Sequence, residues 1–322
     1  MDALTSQVPE KTRVHPGPGI ARGPGMTTLT NSVLRPSFTH DPFLTARLKG
    51  LRLLSSMMMF AGFGGIVMLL NPSALTDVSE MDLGVTRLPM PIALAGVFCA
   101  GLALQRWLDW QVRQLERRGW EQLLAGRPEE AIHSLEVAMS TGSNIVRGRG
   151  YYALALAWFR QGDYERALAL GEKTTWAGRR RDARVCDAQA PALMAVILAL
   201  YGELDDAREW VGRIRRPMFD ETDHALLAQA VMLCREGRYV EAVKRIQRTV
   251  REDVPETDVG AVAVIHAFAR SRLGGQLVPL KPGCVLPQRP TRGSEYEYLA
   301  CEWPELAAFL RGEDAPAPVL DA

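Results

Sequence analysis

The chain has almost no net charge, few aromatic residues and no catalytic signature. Its 38 Lys and Arg stand against 37 Asp and Glu, leaving +1 at pH 7. No global field therefore favours nucleic acid or a strongly acidic substrate. Aromatics make up 7% of the residues, too few to interleave with basic side chains as a stacking platform for single strands. No nucleic-acid partner is expected. The five cysteines, Cys99, Cys186, Cys234, Cys284 and Cys301, are odd in number and include no C-x-x-C. That pattern carries neither a disulfide framework nor a zinc site. Their expected role is that of small buried apolar side chains in a reducing compartment.

Histidine is scarce as well. His15, His40, His133, His224 and His266 show no H-E-x-x-H or similar spacing, and the chain has no G-x-S-x-G, P-loop or dinucleotide fingerprint. The neighbouring carboxylates Glu129–Glu130 and Asp205–Asp206 are adjacent rather than facing, which suits helix starts better than acid–base pairs. The expectation is no catalytic residue, no cofactor and no metal; the chain is not expected to be an enzyme.

Two long uncharged runs are present instead. Residues 53–70 read LLSSMMMFAGFGGIVMLL, 18 residues without a charge, and residues 88–104 read LPMPIALAGVFCAGLAL, 17 without one. An apolar core of ~30 Å needs ~20 helical residues, with a lower limit near 17. Neither run has the polar stripe of a soluble amphipathic helix. Two transmembrane helices, at about 53–70 and 88–105 within a region 46–108, are expected. Arg35, Arg47, Lys49 and Arg52 precede the first run, and Arg106, Arg113, Arg117 and Arg118 follow the second. The link between them holds one Arg with Asp77, Glu80 and Asp82. Basic residues accumulate on the cytoplasmic side, so both termini are expected inside, at an inner or plasma membrane. Trp107 and Trp110 fall where an interfacial belt belongs. A late signal peptide, cut near Ser73, is the alternative. Ala61/Gly65 and Gly96/Ala100 are small-residue pairs at a spacing that lets helices approach. Residues 1–45, punctuated by Pro and Gly, read as a disordered tail.

The remainder repeats. Gly126, Gly162, Gly202, Gly237 and Gly274 recur at spacings of 36, 40, 35 and 37. Seven residues before each stands Gly119, Ala155, Ala195, Ala230 or Ala267. Five residues after the first four stands Ala131, Ala167, Ala207 or Ala242. Such columns suit a helix, a left-handed glycine and a second helix packed antiparallel where small residues let the backbones meet. The repeat region is expected over 109–275, and an irregular extension with a short helix over 276–322.

These columns resemble the tetratricopeptide repeat family. The best match is YYALALAWFRQGDYERALAL at 151–170, with CREGRYVEAVKRI at 234–246, LALYGELDDAREWV at 198–211 and LLAGRPEEAIHSL at 123–135. The aromatic expected four residues before the glycine is present only as Trp158, and the third unit is long. The resemblance implies an all-α chain: a two-helix transmembrane hairpin, then an α-solenoid of about four helix-turn-helix repeats with a capping helix. It implies a concave groove lined by Arg149, Tyr152, Leu156, Phe159 and Arg160, then Gln189 and Val196, then His224, Leu227, Val231 and Arg235; Tyr152 and Phe159 read equally as core between repeats. Apolar side chains beside guanidinium groups suit a protein segment with acidic flanks. The Lys/Asn carboxylate clamp of chaperone-binding members is absent. The basic run Arg179, Arg180, Arg181 and Arg184 reads either as a solvated loop or as a contact for an acidic partner or anionic lipid. The expected function is a membrane-tethered protein-interaction scaffold. The alternative is an accessory subunit of a membrane enzyme or transporter, working through its hairpin.

Overall fold

A computed structural model describes residues 42–69, 80–82, 87–141, 147–176, 182–214, 223–249, 256–274 and 293–313. The tail before residue 42, the arginines Arg179, Arg180 and Arg181, Cys284 and the last nine residues lie outside the described residues. The described part is helical. Two long helices come first: α1 (Pro42–Leu69) with 28 residues and α2 (Met90–Leu124) with 35. Both are long and apolar enough to cross a membrane. Between them β1 (Glu80–Asp82) and β2 (Arg87–Pro89) pair antiparallel, with Met81 opposite Leu88. Leu88 and Pro89 thus belong to a strand, and the second apolar helix begins at Met90 rather than at residue 88.

The two helices run antiparallel and touch through missing side chains. A methyl group at Gly62 would meet the Phe98 main-chain nitrogen at 2.8 Å, and one at Gly65 would meet Leu94 Cδ2 at 2.7 Å. One at Gly101 would meet Met59 Cγ at 3.0 Å. The buried Ser55 hydroxyl lies 3.0 Å from the Gly101 carbonyl oxygen and 3.1 Å from Gln105 Oε1. Of the small residues expected at this contact, only Gly65 takes part. Ala61, Gly96 and Ala100 face outward. A uniformly apolar helix has no polar stripe to mark its inner face, so the sequence pattern left several small residues equivalent.

Both helices extend beyond their apolar runs on the same side, α1 before residue 53 and α2 after residue 104. Leu48 of α1, Leu108 of α2 and Val137 are buried together, with Leu44, Leu51, Leu104 and Leu115 around them. Arg52 Nη1 donates to the Thr141 carbonyl at 3.0 Å. From Leu53 onward the large side chains are exposed: Leu53, Leu54, Met57, Phe60, Phe63 and Val67 on α1, and Ile92, Val97 and Leu102 on α2. The change from buried to exposed apolar surface marks the edge of the band a bilayer would cover. Trp107 and Trp110, both exposed, stand just past it.

The second half of α2 is the first helix of a hairpin with α3 (Pro128–Ser140). Three further hairpin units follow: α4 (Arg147–Arg160) with α5 (Tyr164–Trp176), α6 (Ala190–Tyr201) with α7 (Leu204–Arg213), and α8 (Asp223–Arg235) with α9 (Tyr239–Thr249). A lone α10 (Glu256–Ser271) packs on the last pair, and a 3₁₀ turn (Gly293–Leu299) and α11 (Pro304–Arg311) complete the described chain. Each of the five recurrent glycines is left-handed, from Gly274 at φ +56° to Gly202 at φ +93°. One hydrogen bond repeats at the hairpin turns: Arg127 N to Gln122 O, Asp163 N to Trp158 O, Glu203 N to Leu198 O and Arg238 N to Leu233 O, all between 2.8 and 3.0 Å. That 6→1 bond closes a helix only when the glycine before it turns left-handed.

The alanine columns are buried. Ala131, Ala167, Ala207 and Ala242 have no exposed surface, nor do Ala155, Ala195 and Ala230. Ala267 alone is half-buried. The extra length of the third unit includes a five-residue π-turn, Val185–Gln189, leading into α6, the usual way an inserted residue is absorbed within a helix. Cys186 and Cys234 are buried as expected, but Cys99 and Cys301 are exposed.

Candidate functional site

The residues projected onto a groove are close together, but their apolar members are core. Tyr152, Leu156, Phe159, Val196, Leu227 and Val231 are all buried, Tyr152 at 3% exposure and Phe159 at 2%. The Tyr152 ring lies 6.1 Å from that of Trp120 on α2. Its hydroxyl is 3.4 Å from Nδ1 of the buried His224 on α8. This hydrogen bond bridges the first helices of the second and fourth units. Gln189 sits half-buried in the π-turn.

The arginines spend their donors on the chain's own carbonyls. Arg160 Nη1 donates to Leu123 O at 2.7 Å, joining the ends of two successive first helices. Arg235 Nη2 donates to Leu200 O and, at 2.9 Å, to Glu302 O. The Arg235 guanidinium also stacks 4.6 Å from the Trp303 ring centroid. Burial lowers its pKa, and the nearby carboxylates Glu305 and Glu302, with Tyr164, work against that. Arg149 is exposed and pairs with Glu116 Oε1 at 3.7 Å. None of the three grips a partner-like carboxylate in the bidentate form expected of them.

A segment that sequence reasoning left without a role lies across these helix ends. The Tyr298 ring meets Phe159 edge-on at 5.1 Å, and its carbonyl accepts a hydrogen bond from Tyr164. Trp303 meets Phe268 of α10 at 5.1 Å, and Phe309 meets it at 5.6 Å. A methyl group at Gly162 would strike Cys301 Sγ at 2.7 Å, and one at Gly260 would strike the Tyr296 hydroxyl. Leu299, Trp303 and Leu306 are buried in the same cluster as the repeat alanines. The segment's character was visible in GSEYEYLACEWPE, where aromatic residues alternate with Glu295, Glu297, Glu302 and Glu305. Its lack of helical periodicity hid the contact, because a 3₁₀ turn presents a different spacing from an α-helix.

No group of three or more His, Cys, Asp or Glu side chains able to hold a metal converges among the described residues. The thiols are poorly disposed to react. Burial pushes Cys234 up to about 12, and burial with Glu302 raises Cys301, whereas a reactive cysteine needs a lowered pKa. Of the basic run, Arg184 is described and is exposed.

Comparisons with family models, with curated proteins and with solved structures return no match. The class defined by the fold is an all-helical protein with two N-terminal helices long and apolar enough to cross a membrane.

Proposed function

We propose that the chain is a membrane-tethered scaffold, a tetratricopeptide-like array of helical hairpins fixed to a bilayer by α1 and α2 and holding other proteins on the cytoplasmic side. The observation that carries the reading is the continuity of Met90–Leu124. One helix is both the second apolar span and the first helix of the array, so the array cannot swing free of the bilayer as it would on a flexible linker. Leu48, Leu108, Val137 and the Arg52–Thr141 bond brace the same junction. The excess of Arg and Lys outside the two apolar runs supports the cytoplasmic side.

The residues 293–313 support the kind of partner. The array already accommodates one segment in which aromatic side chains stand among carboxylates, through Phe159, Arg235 and Phe268. A partner segment of similar chemistry would use the same helix ends in its place. A second reading, an accessory subunit of a membrane enzyme or transporter, is favoured by one observation: Ala61, Gly96 and Ala100 face outward, where another apolar helix could approach closely.

Affinity capture of the full chain after mild detergent extraction tests the proposal. Recovery of soluble proteins that an excess of a peptide spanning 293–313 displaces is the expected result. Recovery of integral membrane proteins alone would favour the second reading, and recovery of neither would remove both.

A further inference from the structure

The alternation of helix direction decides which end of the array faces the bilayer. α2 leaves the exposed apolar band near Leu102 and ends at Leu124. Every first helix therefore runs away from the band and every second helix returns toward it. The bond from Arg52 to Thr141 O, at 3.0 Å, confirms the level of the return, since Arg52 adjoins the first exposed band residue, Leu53. α3 and α5 both have 13 residues and both begin two positions after their left-handed glycine. Trp176 therefore holds, in the second hairpin, the place that Ser140 holds beside Thr141 in the first.

Trp176 is 82% exposed, more than Phe60 at 78% in the apolar band. Among the described residues nothing covers it. Basic residues gather at the same end: exposed Arg149 opens α4 and exposed Arg184 precedes α6. Helix-dipole balance accounts for basic residues at the end of a helix, but Arg149 and Arg184 stand at beginnings, where the dipole disfavours a cation. At the opposite end of the array arginines and carboxylates pair with one another, Arg127 with Glu130, Arg166 with Asp163, Arg208 with Asp205 and Arg238 with Glu241. Arg149 also pairs with Glu116 at 3.7 Å.

We propose that this end of the second hairpin, Trp176 with Arg149 and Arg184, lies on the anionic headgroup layer of the bilayer that α1 and α2 span. It rests on the membrane-spanning reading above. The indole suits the boundary between headgroups and chains, with an apolar body and one N–H donor. The guanidinium groups suit lipid phosphates, to which they bond in a planar fork. The array is then held at three places on the membrane surface, two spans and one docked edge, which sets its tilt as well as its distance.

The test uses the full chain in nanodiscs of phosphatidylcholine, with or without about a quarter phosphatidylglycerol, the membranes carrying a doxyl quencher just beneath the headgroups. Subtracting the fluorescence of Trp176→Phe from that of the unaltered chain isolates Trp176 from the other six tryptophans. The expected result is a quenched Trp176 signal in anionic discs. It weakens in phosphatidylcholine alone, in Arg184→Glu, and when ionic strength rises from about 0.01 to 1 M, which shortens the screening length from about 30 to 3 Å. Unquenched Trp176 beside quenched Trp107 and Trp110 would overturn the docking and leave the spans standing. Absence of quenching at all three would remove the spanning reading with it. Quenching of Trp176 indifferent to lipid charge and salt would overturn the anionic contact. Trp176→Phe should melt as the unaltered chain does, because the side chain is largely exposed.

Discussion

Two glycines in neighbouring places should respond to alanine with opposite signs. Gly202 ends α6 at φ +93°, with open space around it. A side chain fits there, but the backbone does not suit it, so Gly202→Ala should destabilise by about 1 kcal/mol. Gly212 lies within α7 with nothing near its missing Cβ. Gly212→Ala should stabilise by about 0.5 kcal/mol through helix propensity and a less free unfolded chain. Melting temperatures of the purified chain in one detergent check the pair, and equal signs would contradict the assigned turn. His266 belongs to the same scale. It is buried on α10, and burial, helped by Arg270, lowers its pKa from 6.5 to about 4. The unfolded chain therefore binds a proton that the folded chain refuses. Stability contributed by the neutral ring is complete above pH 6.5 and is lost as pH falls toward about 4. Glu136 acts oppositely: burial raises its pKa, so acid relieves a cost. His266→Gln should flatten the loss of melting temperature between pH 7 and 5, whereas an unchanged slope would place the pH dependence elsewhere.

At the scale of the element, the contact between α1 and α2 turns on which small residues face inward. Gly62→Leu would drive a side chain into the Phe98 backbone, 2.8 Å from the missing Cβ. It should weaken the helix pair by about 1–3 kcal/mol, the usual cost of overpacking. Gly96→Leu points into open space and should be silent. Thermal inactivation in detergent, followed by loss of monodisperse protein, separates the two. The repeat helices show what an amphipathic pattern adds. Glycine and alanine columns in register marked each hairpin turn, and the structure places them as left-handed turns and, Ala267 apart, fully buried alanines. Periodicity survived there because one face is wet. In the apolar pair both faces are apolar, and the inner one became visible only through packing.

The whole molecule is organised by one helix with two environments. Met90–Leu124 begins among exposed apolar side chains and ends in the array's core at Leu123. If it spans a bilayer with the basic residues inside, a reporter active only outside the cytoplasm should work when inserted between β1 and β2. It should be silent after Arg118 and at the C-terminus. Activity at the C-terminus would favour a cleaved leader over a hairpin. The predicted division at residues 108 and 109 has no counterpart in the structure, since no break in the helix falls there.

The sequence by itself determined the helical class, the two apolar helices, the position of every hairpin glycine and the small columns where helices meet. Each is a local requirement: a run without charge, a left-handed turn, a side chain no larger than a methyl. The fate of the groove residues was decided by tertiary structure. The helical pattern left Tyr152 as groove or core, and Trp120 and His224, distant in the chain, meet it and make it core. Phe159 and Arg235 are covered by Tyr298, Glu302 and Trp303 from a segment without helical period. Whether a side chain on a helical face meets water or a neighbour depends on how tightly successive hairpins curve and on where the chain's end returns. Those are long-range packing outcomes, set by the sum of many contacts and not by the spacing of residues along any one helix.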